Sequence, residues 1–300
     1  MIECKLVKTI PTNNTLGECT VWDNISKEII WTDIQNNKIY FYNINNDQLR
    51  FYILPERLCS FALTNESNTL LAAFETGLAV LKFEDRIIKV TWLKKIFSKG
   101  CGIRLNDGRV DKSGIFWFGA MVENTSLPKA FKSTSRLYSF DNKKLLRIHE
   151  SNISISNSIS WSLDGSLMYF SDSAKHEIYV YDYDYTNCIL SNKRLFVSTL
   201  DYVFPDGSCV DSDNYLWNAQ WGSGNVIRYS RDGTVNRTLK IPCPQPTCVT
   251  FGGDNLDLLI VSTAKEGLSR VEREKIYPES GNIFIYKTNV TGKNEFRFPI

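Results

Sequence analysis

No stretch of this 300-residue chain approaches the ~20 consecutive apolar residues needed to span a bilayer. The opening residues, Met1-Ile2-Glu3-Cys4-Lys5-Leu6, lack the apolar core of a secretion signal, so a cytoplasmic location is expected. Charge of one sign is missing too. With 35 basic and 33 acidic residues the net charge is +2, which offers nothing special to nucleic acid or a membrane surface. Histidine is scarce: His149 and His176 are the only two, both in polar surroundings and both expected to face solvent. That argues against a histidine-rich zinc site and against a Ser-His-Asp triad. The eight cysteines are dispersed with no C-x-x-C pair, so they are expected to be reduced and packed in strands, Cys243 and Cys248 included. No amphipathic helix of ordinary length stands out.

What the chain does have is apolar residues (43%, with 13% aromatic), enough for a large core, and a repeat. Six segments align: Glu18-Cys-Thr-Val-Trp22, Cys59-Ser-Phe-Ala-Leu63, Asn106-Asp-Gly-Arg-Val110, Asn157-Ser-Ile-Ser-Trp161, Asp206-Gly-Ser-Cys-Val210 and Thr247-Cys-Val-Thr-Phe251. Their first residues are separated by 41, 47, 51, 49 and 41 positions. After each segment comes a polar turn and then alternating runs rich in aromatic and β-branched residues, such as Ile29-Ile30-Trp31 and Ile39-Tyr40-Phe41 in the first unit. Six such units of four strands predict an all-β fold, a six-bladed β-propeller with four-stranded antiparallel blades, spanning 1–300 as one domain. Two segments compete to close the ring as the outer strand of the last blade: residues 3–9 and the tail 294–299. Gly119–Leu137 and Lys265–Gly281 are expected to be loops over one face.

The innermost strands of a propeller converge on its central channel, so the residues that begin them should meet near one mouth. Four of the six first residues carry side-chain oxygens: Glu18, Asn106, Asn157 and Asp206. Two carboxylates and an amide oxygen, from Glu18, Asp206 and Asn157, make a donor set for a hard divalent cation, Ca²⁺, Mg²⁺, Mn²⁺ or Zn²⁺. The same residue types also form turns and cap backbone amides at strand starts. Gly222-Ser-Gly224-Asn225 lacks the helix and lysine of a phosphate loop and is expected to be a turn.

The stretches Leu16-Gly-Glu-Cys-Thr-Val-Trp-Asp23, Arg104-Leu-Asn-Asp-Gly-Arg-Val-Asp111, Phe116-Trp-Phe-Gly-Ala-Met121, Ser160-Trp-Ser-Leu-Asp-Gly165, Pro205-Asp-Gly207 and Phe251-Gly-Gly253 occur in this order over about 14–264. In them the chain resembles the senescence-marker-protein/gluconolactonase (regucalcin-like) family of six-bladed propellers. The resemblance implies one divalent metal ion (Ca²⁺, Zn²⁺, Mg²⁺, Mn²⁺ or Fe²⁺) on Glu18, Asn157 and Asp206, and contacts from Arg104, Asn106 and Asn124 to substrate hydroxyls. It implies hydrolysis of a sugar lactone to the aldonic acid, with Asp206 or a water on the metal activating the nucleophile. The chain departs from the family pattern at Ser156-Asn157-Ser158, at Gly119-Ala120-Met121, and at Asn124, beside Glu123, where an acidic residue is usual. The partner implied is a small-molecule sugar lactone, with no nucleic acid or membrane, for a monomer or weak homo-oligomer. Two other readings compete: a calcium- or protein-binding propeller without turnover, and a related esterase or organophosphate hydrolase.

Overall fold

A computed structural model describes residues 2–84, 87–123 and 135–300. Six four-stranded antiparallel sheets follow one another around a ring. Blade one comprises Gly17–Asp23, Glu28–Asp33, Lys38–Asn43 and Gln48–Ile53, from the channel outward. The innermost strands of blades two to six are Leu58–Leu63, Ile103–Val110, Ser156–Trp161, Phe204–Val210 and Pro246–Gly252. All six repeated segments therefore lie on innermost strands, as the spacing predicts. Among the described residues no helix is long and apolar enough to cross a membrane.

Residues Cys4–Ile10 close the ring by pairing antiparallel with Ile283–Thr288 as the outer strand of blade six. The rival tail does something else. It crosses the far mouth of the channel, opposite the starts of the innermost strands. There the Lys293 ammonium donates to the Trp161 carbonyl at 3.3 Å and Arg297 donates to the Thr64 carbonyl at 3.0 Å. Arg297 also pairs with Asp23, and Arg109 approaches Glu295 at 3.5 Å. Phe298 hydrogen-bonds Leu63 through its backbone and stacks on Phe140.

Between blades the core is aromatic. Trp117 stands edge-on to Tyr183 of blade four, and Trp217 meets Phe251 of blade six in the same way. Such a blade cannot bury both faces alone, so neighbours stabilise one another. The indoles are anchored as well. Asp111 Oδ2 accepts from Trp117 Nε1 while Oδ1 accepts from the amides of Ser113 and Ile115. Asp211 repeats this with Trp217 and the amides of Asp213 and Tyr215, and also accepts from Arg228 Nε at 2.7 Å. An aspartate six positions before a tryptophan thus ties off the turn after the innermost strand in blades three and five.

The two histidines depart from expectation. The His149 ring lies against Trp117, with centroids 4.1 Å apart, and bonds Ser139 Oγ; burial, reinforced by Arg147, pushes its pKa down to about 4. His176 is pinned by Val203 O and Phe204. Both are only partly exposed and pack against residues distant in sequence. The cysteines behave as anticipated: none is in a disulfide, and six are buried, Cys243 and Cys248 among them, although Cys101 is exposed. The run 222–224 is a turn.

Arg228 is 2% exposed and depends on Asp211. Asp211→Ala strands a buried guanidinium and should cost about 3–5 kcal/mol in denaturant unfolding. Asp213→Ala, which removes the exposed partner, should cost less than about 1 kcal/mol. Equal losses would contradict this account of the blade.

Candidate active site

Every innermost strand carries a register shift near its start, between Glu18 and Val21, Leu58 and Ser60, Leu105 and Gly108, Asn157 and Ser160, Pro205 and Ser208, and Pro246 and Cys248. A bulge re-aims the side chains around it. Here it accompanies Glu18, Asn106, Asn157 and Asp206 to the channel mouth. Cys19 and Ser158 follow two of them at φ +47° and +61°, a left-handed conformation unfavourable for a side-chain-bearing residue. Ser158 has a compensating role. Its hydroxyl donates to the Asp206 carbonyl at 2.5 Å and accepts from Asn218 Nδ2, tying blade four to blade five.

The loops leading into these strands are held by aspartates that the repeat does not reveal. Asp33 accepts from the amides of Thr15 and Leu16, just before Glu18, and Asp172 accepts from those of Ser154 and Ile155, just before Asn157. Gly119 lets blade three approach blade four, since a Cβ there would lie 1.7 Å from Ser156 Oγ.

One cavity of about 250 Å³ receives Glu18, Arg104, Asn106, Asn157 and Asp206, which places it at the small end of ligand sites. Five of the six predicted site residues therefore come together; the sixth, Asn124, lies outside the described residues. The polar side chains form a directed chain. Arg104 can only donate, and its Nη1 bonds Asn106 Oδ1 at 2.5 Å. Asn106 must then turn Nδ2 to Asn157 Oδ1 and the Ser156 carbonyl, both at 2.9 Å. Asn157 Nδ2 in turn donates to Ser173 Oγ, which donates to the Pro205 carbonyl. This polarity points the Asn157 oxygen into the cavity group and leaves Asn106 one lone pair on Oδ1.

Asp206 is buried and Glu18 is partly buried. Burial, and then the nearby charge of Asp107, raises the Glu18 carboxyl above its usual range; burial and the charge of Glu18 raise Asp206. Glu18 Oε2 accepts the Cys19 amide, the Glu18 and Asp206 carboxyls hydrogen-bond each other, and no cationic side chain bonds either of them among the described residues. Two adjacent carboxyls beside an aligned amide oxygen lack a cationic side-chain partner, and a divalent cation fits that deficit. Among the described residues no three His, Cys, Asp or Glu side chains cluster to hold a metal, so any ligand set must include the amide.

Four further residues build the site without being evident from the repeat. Asp107, partly buried and raised by desolvation, accepts the Ile159 amide below the pair. Glu123 accepts from Arg104 Nε at 2.9 Å and is gripped by Arg57 Nη1 and Nη2 at 2.7 and 2.8 Å. Burial would raise the Glu123 carboxyl, but Arg57 and Arg104 together outweigh it and the group sits below its usual value. Glu266, from the loop 265–281, lines the cavity beside Met121, Phe204 and Trp221. No spacing marks Glu266; Arg57 stands two positions before Cys59, as Arg104 does before Asn106, and Asp107 and Glu123 adjoin singled-out positions.

Residues 16–265 match the sequence profile of the family described as SMP-30/Gluconolactonase/LRE-like region. L-arabinolactonase of Azospirillum brasilense is 36% identical over 292 residues, covering 96% of this chain and 93% of that protein. Human regucalcin is 29% identical over 286 residues, covering 95% and 94%. Among solved structures, a regucalcin from Agrobacterium tumefaciens described as a calcium-binding protein superposes with a TM-score of 0.90 at 26% identity, covering 99% of this chain and 98% of that one.

A carboxyl raised in the folded state favours folding at low pH, and that contribution fades as pH rises through the folded value. With divalent cations removed from solution by chelator, the protein should lose thermal stability from about pH 5 to pH 8. Glu18→Gln should flatten that slope and unfold several degrees higher than wild type at pH 8, by calorimetry. An unchanged slope would mean that the pair is not the strained element.

Proposed function

The chain belongs to the SMP-30/gluconolactonase/LRE-like family, and from that premise we propose that it hydrolyses a sugar lactone of five or six carbons to the aldonic acid, with a divalent metal ion as cofactor. One observation carries the reading: an arginine suited to gripping hydroxyls shares a small cavity with two adjacent carboxyls that no cationic side chain bonds and with an oriented amide oxygen. The relative named L-arabinolactonase puts a five-carbon lactone first among substrates to try.

Glu18, Asn157 and Asp206 would hold the ion, which when bound supplies polarisation of the lactone carbonyl and stabilisation of the developing oxyanion. The rest is done by side chains. Arg104, fixed through Nε by Glu123 and through Nη1 by Asn106 and the Leu105 carbonyl, has Nη2 uncommitted to any oxygen among the described residues and directs it to a substrate hydroxyl. Asn106 accepts with its remaining lone pair and keeps Asn157 aligned. Asn124 completes the hydroxyl contacts. Asp206 takes the proton of the attacking water as the new C–O bond forms; the ring C–O bond then breaks, and that proton passes to the departing ring oxygen. Met121, Phe204 and Trp221 offer apolar surface to the C–H face of the sugar and exclude water.

A second reading has support of its own, since the regucalcin from Agrobacterium tumefaciens is described as calcium-binding: a calcium-binding propeller without turnover. Titration of lactone hydrolysis at constant pH separates the two. Wild type should open at least one sugar lactone in a chelator-sensitive reaction restored by divalent cation. Asp206→Ala should lower kcat/KM at least about a hundredfold while leaving the circular dichroism of the sheets intact. Retained activity in Asp206→Ala would refute the site assignment; calcium binding with no lactone turned over would favour the second reading.

A further inference from the structure

The loop 265–281 enters the cavity at its start, and that start is held more firmly than its irregular sequence suggests. The amides of Lys265 and Glu266 both donate to the Thr15 carbonyl, at 3.1 and 3.0 Å, and Gln245 Nε2 donates to the Glu266 carbonyl at 3.0 Å. The side chain is tethered as well: Gln35 Nε2 donates to Glu266 Oε1 at 2.6 Å. The Gln35 amide is not free to turn over, because its own oxygen faces Arg57 Nη1 at 3.5 Å. One carboxylate oxygen of Glu266 is thereby committed. The other, Oε2, has no hydrogen-bond partner among the described residues, although the carboxylate lines the cavity.

We infer that Glu266 is a specificity-determining residue: its Oε2 accepts a hydrogen bond from a substrate hydroxyl, and Gln35 is the positioning residue that aims it. The chemistry is complementary. A sugar hydroxyl both donates and accepts, an ionised carboxylate only accepts, and a guanidinium only donates. With Arg104 and Glu266 in one small cavity, neighbouring hydroxyls of a polyol are satisfied in both senses. A lactone lacking those hydroxyls leaves the two groups unpaired, and a site built to hydrogen-bond a hydroxyl discriminates strongly against its absence. The same Arg57 serves both arms, gripping Glu123 behind Arg104 and orienting Gln35 behind Glu266. The substrate class is thus narrowed to polyhydroxylated lactones, with simple alkyl lactones disfavoured. This assignment rests on the lactone reading above.

Glu266→Gln is the informative variant, because its amide oxygen still accepts from Gln35 while a donor replaces the acceptor facing the cavity. Steady-state kinetics should compare a pentonolactone with unsubstituted γ-butyrolactone, with metal supplied. On the pentonolactone, Glu266→Gln should lose about tenfold to a hundredfold in kcat/KM, mostly through KM. On γ-butyrolactone it should stay within about twofold of wild type, a ceiling set by the absence of the lost bond. Gln35→Ala should raise KM for the pentonolactone less, and should add nothing in a Glu266→Ala background. A parallel loss on both lactones, or none on the pentonolactone, would overturn the assignment. If wild type turns over no lactone, the lactone reading fails by itself, and calorimetric titration with arabinitol then decides the Glu266 question: weaker binding to Glu266→Gln sustains it, equal binding ends it.

Discussion

Ring closure is the constraint on which the rest depends. A circle of blades has no natural end, and the chain makes one by returning its first strand, Cys4–Ile10, to the outside of its last blade. Blade six is therefore built from both ends of the sequence, and the angular position of every other blade follows from stacking around a circle that cannot open. The geometry of the candidate site is a by-product. Glu18 of blade one and Asp206 of blade five approach because sheets between them fill a fixed arc, and their mutual repulsion is borne by the aromatic contacts that hold blades together.

Within that frame the site is organised by donors that have no choice. Arg104 imposes its direction on Asn106, Asn106 on Asn157, and Asn157 on Ser173. A guanidinium at one end removes the ambiguity that amide side chains otherwise carry. Arg57 plays the same part from outside the cavity, with two carboxylates and one amide arranged around a single planar group. Oriented dipoles of this kind act without reorganising when charge develops in a reaction.

The blades and the upper rim of the site were legible in the sequence for one reason. Innermost strands recur at a near-constant period, so residues equivalent in the repeat, Glu18, Asn106, Asn157 and Asp206, are equivalent in height. What the period cannot register stayed hidden. Glu266 sits in a loop that belongs to one blade only, and although Arg57 stands two residues before Cys59 as Arg104 stands before Asn106, the period says nothing of its hold on Glu123 and Gln35. The surroundings of His149 were misjudged because polar sequence neighbours say nothing of Trp117, which meets it across the same sheet. The tail was weighed as a strand because its alternation suits one, and nothing local distinguishes an edge strand from a strap laid over strand ends.

That strap has a kinetic meaning. With Lys293, Glu295, Arg297 and Phe298 fastened across the far mouth, the channel is a blind well. Whatever enters beside Glu266 and Trp221 must leave by the same portal, so reactant and product queue for one doorway. A spent molecule that lingers there blocks the next arrival, and release at that single opening becomes a natural place for throughput to be limited.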